Sequence, residues 1–161
     1  MKTIEYEEKY LEDVKNLLVE LEEYIVSIDE DNLDVVGENY KEKMAVIDLK
    51  EVKENNGKCY LAIDNNKVTG LIMGIERKYE KEDYLDYKCP KAGEITELII
   101  SKEYRNNNIG NILMDKMEDY FKSIGCKYVH VDVFAYNKNA INFYSNKGYH
   151  SRMHNMIKEI E

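Results

Sequence analysis

The sequence predicts a mixed α/β fold, in which a mostly antiparallel central sheet of six to seven strands is flanked by about four helices. Two observations indicate this class. Apolar residues recur at intervals of three and four in residues 11–28 and again in residues 109–124, which is the pattern of amphipathic helices. Between them, residues 58–79 contain two apolar runs joined through Asn65 and Asn66, which tolerate the positive φ angles of a hairpin turn.

The other elements follow from shorter patterns. The weakest helix is expected at residues 38–53, where Met44, Ile47 and Glu51 are the candidates for one face. Asn137 can cap a short last helix that Gly148 closes. In chain order we predict strands at residues 3–6, 58–64, 67–79, 93–101 and 127–134, helices at 11–28, 38–53, 109–124 and 138–147, and a terminal strand or hairpin at 149–160. No linker or repeat interrupts this order, so residues 1–161 are predicted to form a single domain.

Composition narrows the classes of function. The net charge of −9 argues against nucleic acid as a partner and mildly favours a cationic substrate such as an amine. No apolar run approaches the roughly 20 residues that span a bilayer, so no membrane partner is expected. The first eight residues are too acidic for a signal peptide, and we therefore expect the chain to be cytoplasmic.

The cysteines and histidines indicate neither disulfides nor a metal site. Cys59, Cys89 and Cys126 are odd in number and far apart, and the three histidines do not stand near them at metal-ligand spacing. Idle thiols in a reducing compartment are the expected state. No cysteine or serine is marked as a covalent nucleophile, so a direct attack on the substrate is expected.

Residues 95–113 are the most informative segment. An apolar strand runs into a polar turn that opens directly into a helix, which brings unpaired backbone N–H groups and the positive end of a helix dipole together. Such a site suits a phosphate group, although an ordinary asparagine-rich turn with a helix cap fits the same residues. The amides that could donate to phosphate oxygens belong to Asn106, Asn107, Asn108, Ile109, Gly110 and Asn111.

This turn resembles the pyrophosphate loop of the GNAT-type acyl-CoA N-acetyltransferases, whose pattern is Arg/Gln-x-x-Gly-x-Gly/Ala. Arg105, Asn108 and Gly110 stand at the three defining positions, so asparagine replaces one glycine. After glycine, asparagine best tolerates a left-handed backbone, at a strain on the order of 1 kcal/mol. The substitution therefore keeps the geometry of the loop available.

A second segment resembles the same family. Residues 137–149 match its pattern Asn-x-x-Ala-x-x-Phe-Tyr-x-x-x-Gly-Phe/Tyr. The resemblance implies that Asn137 contacts the cofactor arm, with Ala140 among the cofactor-binding positions, and that Tyr144 is the general acid that protonates the departing thiolate. Read singly, Tyr144 is equally well a core aromatic residue of a short helix.

The family's fold implies further roles for the strand at residues 93–101. In relatives this strand is splayed from its neighbour, so the backbone of Leu98, Ile99 and Ile100 would pair with the pantetheine amides like an added strand. A base must also deprotonate the amine, and the candidates are Glu97 and Asp132, with Glu97 slightly favoured. For either residue, a solvated or ion-paired carboxylate is an equally good interpretation.

The resemblance therefore implies an acetyl-CoA-dependent N-acetyltransferase that acts on a primary amine in a ternary complex, without a metal. The acceptor is expected to be a small cationic amine, and the alternating carboxylates and tyrosines of residues 79–87 are a hypothetical selecting loop. A peptide or protein amine, a non-catalytic acyl-CoA-binding module and a plain interaction domain stay open as alternatives. The resemblance also allows a homodimer, for which the sequence gives no interface.

Overall fold

The computed structural model describes residues 1–160 and places five strands in one sheet, in the order β1-β2-β3-β4-β5. All neighbours are antiparallel except β4 and β5, which are parallel. The mixed, mostly antiparallel class predicted from the sequence is therefore confirmed. The elements are β1 (Lys2–Glu5), α1 (Leu11–Ile28), α2 (Tyr40–Glu54), β2 (Lys58–Asp64), β3 (Lys67–Glu76), β4 (Ala92–Ile100), α3 (Ile109–Ser123), β5 (Tyr128–Val131) and α4 (Lys138–Asn146).

The central strands are buried on both faces, and their side chains alternate between two apolar cores. In β2, Leu61 and Ile63 belong to the core beneath α1 and α2, whereas Tyr60 and Ala62 belong to the core beneath α3 and α4. This alternation is the period of two that a strand imposes. The sheet is therefore a middle layer with two helices on each face.

The β2–β3 hairpin forms through the turn that the sequence predicted. Asn65 and Asn66 have φ angles of 47° and 63°, which are left-handed values. Two such residues in a row form the tight turn that matches the twist of paired strands. The two asparagines therefore fix the register of the most buried part of the sheet.

The face of α3 is also as predicted. Ile109, Leu113, Met117 and Phe121 recur at helical spacing and are buried against the sheet. Phe121 lies directly over Gly93, where an added Cβ would approach the ring to 2.5 Å. Glycine at this position lets α3 pack close to β4.

The prediction of six to seven strands is wrong, because the tail forms none. Residues 149–160 contain no regular element in the described chain, and β5 ends at Val131 rather than at residue 134. The apolar residues of the tail are Met153, Met156, Ile157 and Ile160, all exposed. Their spacing would place apolar side chains on both faces of a strand, so pairing with the sheet edge would leave half of them in water.

The face predicted for α2 is wrong as well. Ile47 is exposed, and the residues that α2 buries are Ala45, Asp48 and Val52. Since these three recur at intervals of three and four, the buried stripe is regular, but its middle member is an acid. This placement of Asp48 bears on the chemistry of the site.

Candidate active site

The parallel pairing of β4 with β5 stops halfway along β4. The ladder joins Ala92 to Tyr128 at one end and Ile95 to Val131 at the other, and residues 96–100 have no strand partner on that side among the described residues. The free edge implied for Leu98, Ile99 and Ile100 is therefore present. Unpaired strand edges offer backbone donors and acceptors to an extended ligand.

An irregularity on the other side of β4 sets the direction of its side chains. Met73 pairs with Glu97, whereas the adjacent Gly74 pairs with Ile95, so Thr96 is the extra residue of a β-bulge. Residues paired across antiparallel strands point to the same face. Glu97 therefore shares the face of Met73, which belongs to the core under α1 and α2.

The start of α3 lies next to the end of this free edge. The first amide of α3 to find an intrahelical acceptor is that of Ile112, which donates to the Asn108 carbonyl at 3.3 Å. The preceding helical amides, on residues 109–111, are the ones that a helix start leaves for an external acceptor. Asn108 has φ 61° and makes no side-chain cap, so it holds the left-handed conformation that glycine would otherwise supply.

The loop before α3 is tied to α1. Arg105 donates through Nε to the Ile100 carbonyl at 3.1 Å, and its guanidinium lies 5.2 Å from the centre of the Tyr24 ring. Glu20 accepts from the backbone N–H of Lys102 at 2.6 Å. These contacts hold the loop from its α1 side and leave the amides of residues 109–111 open.

α4 lies beside the start of α3, and the region between this helix start, α4 and the free edge of β4 is called the cleft. Asn137 caps α4, because its Oδ1 accepts from the Ala140 amide at 3.1 Å, and the Tyr24 hydroxyl donates to the same oxygen at 3.4 Å. Thus Tyr24 contacts both the loop and the cap of α4. Gly110 packs against Phe143, where an added Cβ would lie 3.3 Å from the ring, so glycine allows α3 and α4 to approach closely.

Tyr144 lies on the inner face of α4 and is 8% exposed. Its ring stands edge-on to those of Phe143 and Tyr149, with centroids 5.3 Å and 5.6 Å away. Burial, followed by the negative charge of Glu97, raises the pKa of Tyr144 above its usual value. The hydroxyl therefore keeps its proton at neutral pH, as a proton donor must.

Glu97 is the most perturbed carboxyl group of the site. Burial raises its pKa to about 8, and the charges of Asp48, Glu22 and Glu51 add to the effect. Asp48 itself is 7% exposed, its Oδ2 has no hydrogen-bond partner, and burial raises its pKa to about 6. Carboxyl groups with such pKa values titrate in the range where acid–base catalysis operates.

The other predicted site residues differ from Glu97 in exposure and surroundings. Asp132 directly follows Val131, which pairs with Ile95 two positions before Glu97; it is exposed, and its charge acts on His130. The loop of residues 79–87 borders an open cavity of about 390 Å³ whose lining contains neither Glu97 nor Tyr144. Two tyrosine rings of this loop are already in contact with guanidinium groups of the protein: Arg77 lies over Tyr79, and Arg152 lies over Tyr87.

Sequence reasoning missed the residues that α1 and α2 contribute. Glu20 and Tyr24 contact the loop and the α4 cap, whereas Glu22, Tyr40 and Asp48 lie near Glu97. In the sequence, nothing distinguishes these residues from the other charged and polar residues of amphipathic helices. The one usable signal was the spacing of Asp48 between Ala45 and Val52, which puts an acid inside the apolar stripe.

Comparisons with known proteins agree with this geometry. The profile of the acetyltransferase (GNAT) family matches residues 13–149. The chain is 29% identical over 97 residues to the N-alpha-acetyltransferase 60 of Xenopus tropicalis, an alignment that covers 53% of this chain and 40% of that protein. It is 31% identical over 70 residues to the glucosamine 6-phosphate N-acetyltransferase of Arabidopsis thaliana, covering 44% and 42%. It thus spans about two fifths of the length of these relatives.

Solved structures share the fold along the whole chain. A putative acetyl transferase from Pyrococcus furiosus superposes with a TM-score of 0.73 at 22% identity, covering 99% of both chains. An aminoglycoside N-acetyltransferase solved in complex with CoA gives a TM-score of 0.69 at 10% identity, again covering 99% of both chains. The free edge of β4 and the cleft beside it agree with the match to the family profile. The chain belongs to the acetyltransferase (GNAT) family.

Residues 1–160 contain no cluster of histidine, cysteine and carboxylate side chains that could hold a metal ion. Within the same residues, no helix is both long and apolar enough to cross a bilayer.

Proposed function

We propose that the protein is an N-acetyltransferase that moves an acetyl group from acetyl-CoA to the primary amine of a small cationic acceptor. The observation that carries this proposal is the free β4 edge beside an open helix start, with Tyr144 and Glu97 nearby. An edge strand suits the amide-bearing pantetheine arm, and the helix start suits the diphosphate.

The donor would be held mainly by backbone groups. The amides of residues 109–111 would donate to the diphosphate, and the edge of β4 at Leu98 and Ile100 would pair with the arm. Arg105 lies at the rim of this loop and adds the one positive side chain of the motif. Acetyl-CoA supplies the acetyl thioester, which is the chemistry that the chain itself lacks.

Two side chains would carry the proton transfers, Glu97 of β4 and Tyr144 of α4. The amine arrives as an ammonium ion, and Glu97, once deprotonated, takes the proton that must leave before nitrogen can attack. As the N–C bond forms, the nitrogen becomes cationic and gives a second proton to solvent. The C–S bond breaks, Tyr144 gives its proton to the departing thiolate, and Tyr144 then takes a proton back from solvent, to which Glu97 releases the one it accepted. Atoms and charge then balance, with an amide and a free thiol as products.

We expect Tyr144→Phe to lower kcat on the order of 100-fold, because the departing thiolate loses its proton donor. CoA binding should stay within about twofold, since the ring packing is kept. The measurement is the release of free thiol from acetyl-CoA with a panel of amines, together with a thermal shift by CoA.

Tyr149→Phe is the matched control, because this neighbouring hydroxyl donates to Glu118 at 3.1 Å and does not face the cleft. Its kcat should stay within about threefold of the wild type. Unchanged turnover in Tyr144→Phe would contradict the role of Tyr144. Stabilisation by CoA without turnover of any amine would instead support a non-catalytic acyl-CoA-binding module.

A peptide N-terminal amine is the second candidate acceptor. The relative from Xenopus tropicalis is an N-alpha-acetyltransferase, and this observation favours such an acceptor. Peptides of neutral and basic sequence belong in the same panel. Turnover of peptides above that of every small amine would move the assignment to this class.

A further inference from the structure

Asp48 occupies a position that folding alone would give to an apolar residue. It lies between Ala45 and Val52 on the buried stripe of α2, and only 7% of its surface is exposed. Its Oδ2 has no hydrogen-bond partner in the described chain. Burying an unpaired carboxyl group destabilises a fold, so this residue is unexplained by packing.

Further carboxyl groups from other elements surround the same space. Glu22 of α1 accepts a hydrogen bond from the Tyr40 hydroxyl at 3.4 Å, and Glu97 approaches from β4. Burial first, and then the neighbouring acids, raise the pKa of Glu97. The pKa of Tyr40 is likewise raised first by burial and then by the charges of Glu22, Glu97 and Asp48. The buried stripe of α2, the Tyr40–Glu22 hydrogen bond and the pairing of Glu97 with Met73 place these groups on the face of the sheet that α1 and α2 cover.

The lysine side chains of α1 and α2 that form ion pairs do so with acids outside this site. Lys15 bridges Glu12 and Glu42 at 2.7 Å, and Lys50 pairs with Glu54 at 3.7 Å. Within residues 1–160, no lysine or arginine forms an ion pair with Glu22, Asp48 or Glu97. The site therefore combines several acids with no ion-paired cationic side chain among the described residues, and a cationic ligand is the partner that would complement their charge when they are ionised.

We propose that Asp48 and Glu22 form a subsite for a second ammonium group of the acceptor, which makes the acceptor a diamine or polyamine. This inference rests on the proposed function, in which Glu97 faces the amine that is acetylated. Glu97 acts electrostatically on Tyr144, so it marks the reacting end, whereas Glu22 and Asp48 extend the acidic surface under α1 and α2. One ammonium would react and the other would pair with Asp48.

The test compares two acceptors that differ in one charge. Putrescine, a four-carbon diamine, should have a kcat/KM at least tenfold above that of butylamine, which has one amine on the same carbon chain. At pH 9, where Glu97 is deprotonated with or without the neighbouring charge of Asp48, Asp48→Asn should lower kcat/KM for putrescine on the order of tenfold and leave that for butylamine within about threefold. Because asparagine has nearly the volume of aspartate, the melting temperature of the Asp48→Asn variant should be no lower than that of the wild type.

Glu54→Gln is the matched control, because it removes the same charge from an exposed position on the same helix. It should leave both acceptors within about twofold. Equal losses for the two acceptors in Asp48→Asn, or no preference of the wild type for putrescine, would overturn the inference while the acetyltransferase stands.

A readout that does not need turnover separates the two proposals. In the presence of CoA, putrescine should raise the melting temperature of the wild type, and Asp48→Asn should reduce that shift by at least half. This shift without turnover of any amine would support the subsite and overturn the enzyme. No shift with putrescine, in wild type and variant alike, would overturn the subsite whatever the kinetics show.

Discussion

Glu97 shows how burial can set the acid–base range of one side chain. A glutamate in water has a pKa near 4.3 and is a weak base. Burial and the acids around Glu97 raise its pKa to about 8, which brings its basicity closer to that of an amine. A base is active only when deprotonated, so its function should appear as the pH rises through that value.

We therefore expect kcat/KM to rise with pH and to bend near pH 8, following the pKa of about 8 for Glu97. Glu97→Gln should remove this bend and lower kcat/KM by at least tenfold above pH 8, because the amine then loses its proton acceptor. The measurement is the pH–rate profile at low acceptor concentration. The profile is interpreted only below pH 9, because the acceptor amine, with a pKa of about 10, is still protonated there and does not dominate the pH dependence of kcat/KM.

Asp132→Asn serves as the control, since Asp132 was the other candidate base and lies exposed after β5. The bend near pH 8 should persist in that variant. If Asp132→Asn lost the bend and Glu97→Gln kept it, Asp132 and not Glu97 would be the base.

At the scale of elements, the start of α3 depends on one backbone conformation. Asn108 adopts φ 61°, and its Oδ1 accepts from the Asn111 side chain at 2.7 Å. The left-handed conformation turns the chain into the helix and leaves the next three amides facing outward. A residue with a branched Cβ disfavours this conformation.

Asn108→Gly should preserve the affinity for CoA within about twofold, because glycine adopts positive φ without strain. Asn108→Val should weaken CoA on the order of tenfold, since the branched side chain destabilises the loop that presents the amides. Calorimetric titration with CoA measures both. Asn16→Val, the same change at an exposed position inside α1, controls for the substitution itself, and equal affinities for both Asn108 variants would count against the loop.

Local patterns predicted the elements that one stretch of sequence determines. The Asn65-Asn66 turn and the stripe of α3 depend on neighbouring residues, and both are confirmed. The tail and the face of α2 depend on what other elements offer for packing, and both predictions were wrong. The acidic site could not be predicted either, because Glu22, Asp48 and Glu97 come from three distant elements that only the folded sheet brings together.

For the molecule as a whole, the acidic site couples stability to pH. The folded state holds protons on Glu97 and Asp48 more tightly than the unfolded chain does, since burial raises the pKa of these groups to about 8 and about 6. A group with a raised carboxyl pKa stabilises the fold fully below its unfolded pKa and loses that contribution as the pH rises through the folded pKa. The window therefore runs from about pH 4 to about pH 8.

We expect the melting temperature to fall between pH 5 and pH 8.5, and the fall to be smaller by about 5 °C in a variant that combines Asp48→Asn with Glu97→Gln. Carboxylates with lowered pKa values, such as Asp29, make the fold less stable as the pH falls below about 5, which is the opposite pH dependence. The measurements therefore start at pH 5. Calorimetry without ligand gives the curve. Parallel curves for wild type and double variant would show that these two groups do not set the pH dependence.

The short ladder between β4 and β5 has an evolutionary consequence. If the free edge and the helix start hold the donor, recognition of the donor resides in peptide groups, which every residue except proline supplies in full and most side-chain substitutions leave in place. The acceptor, in contrast, would meet side chains of α1 and α2, which single mutations alter freely. Descendants of such a chain could change the amine that they acetylate many times over while the machinery for the donor is inherited intact.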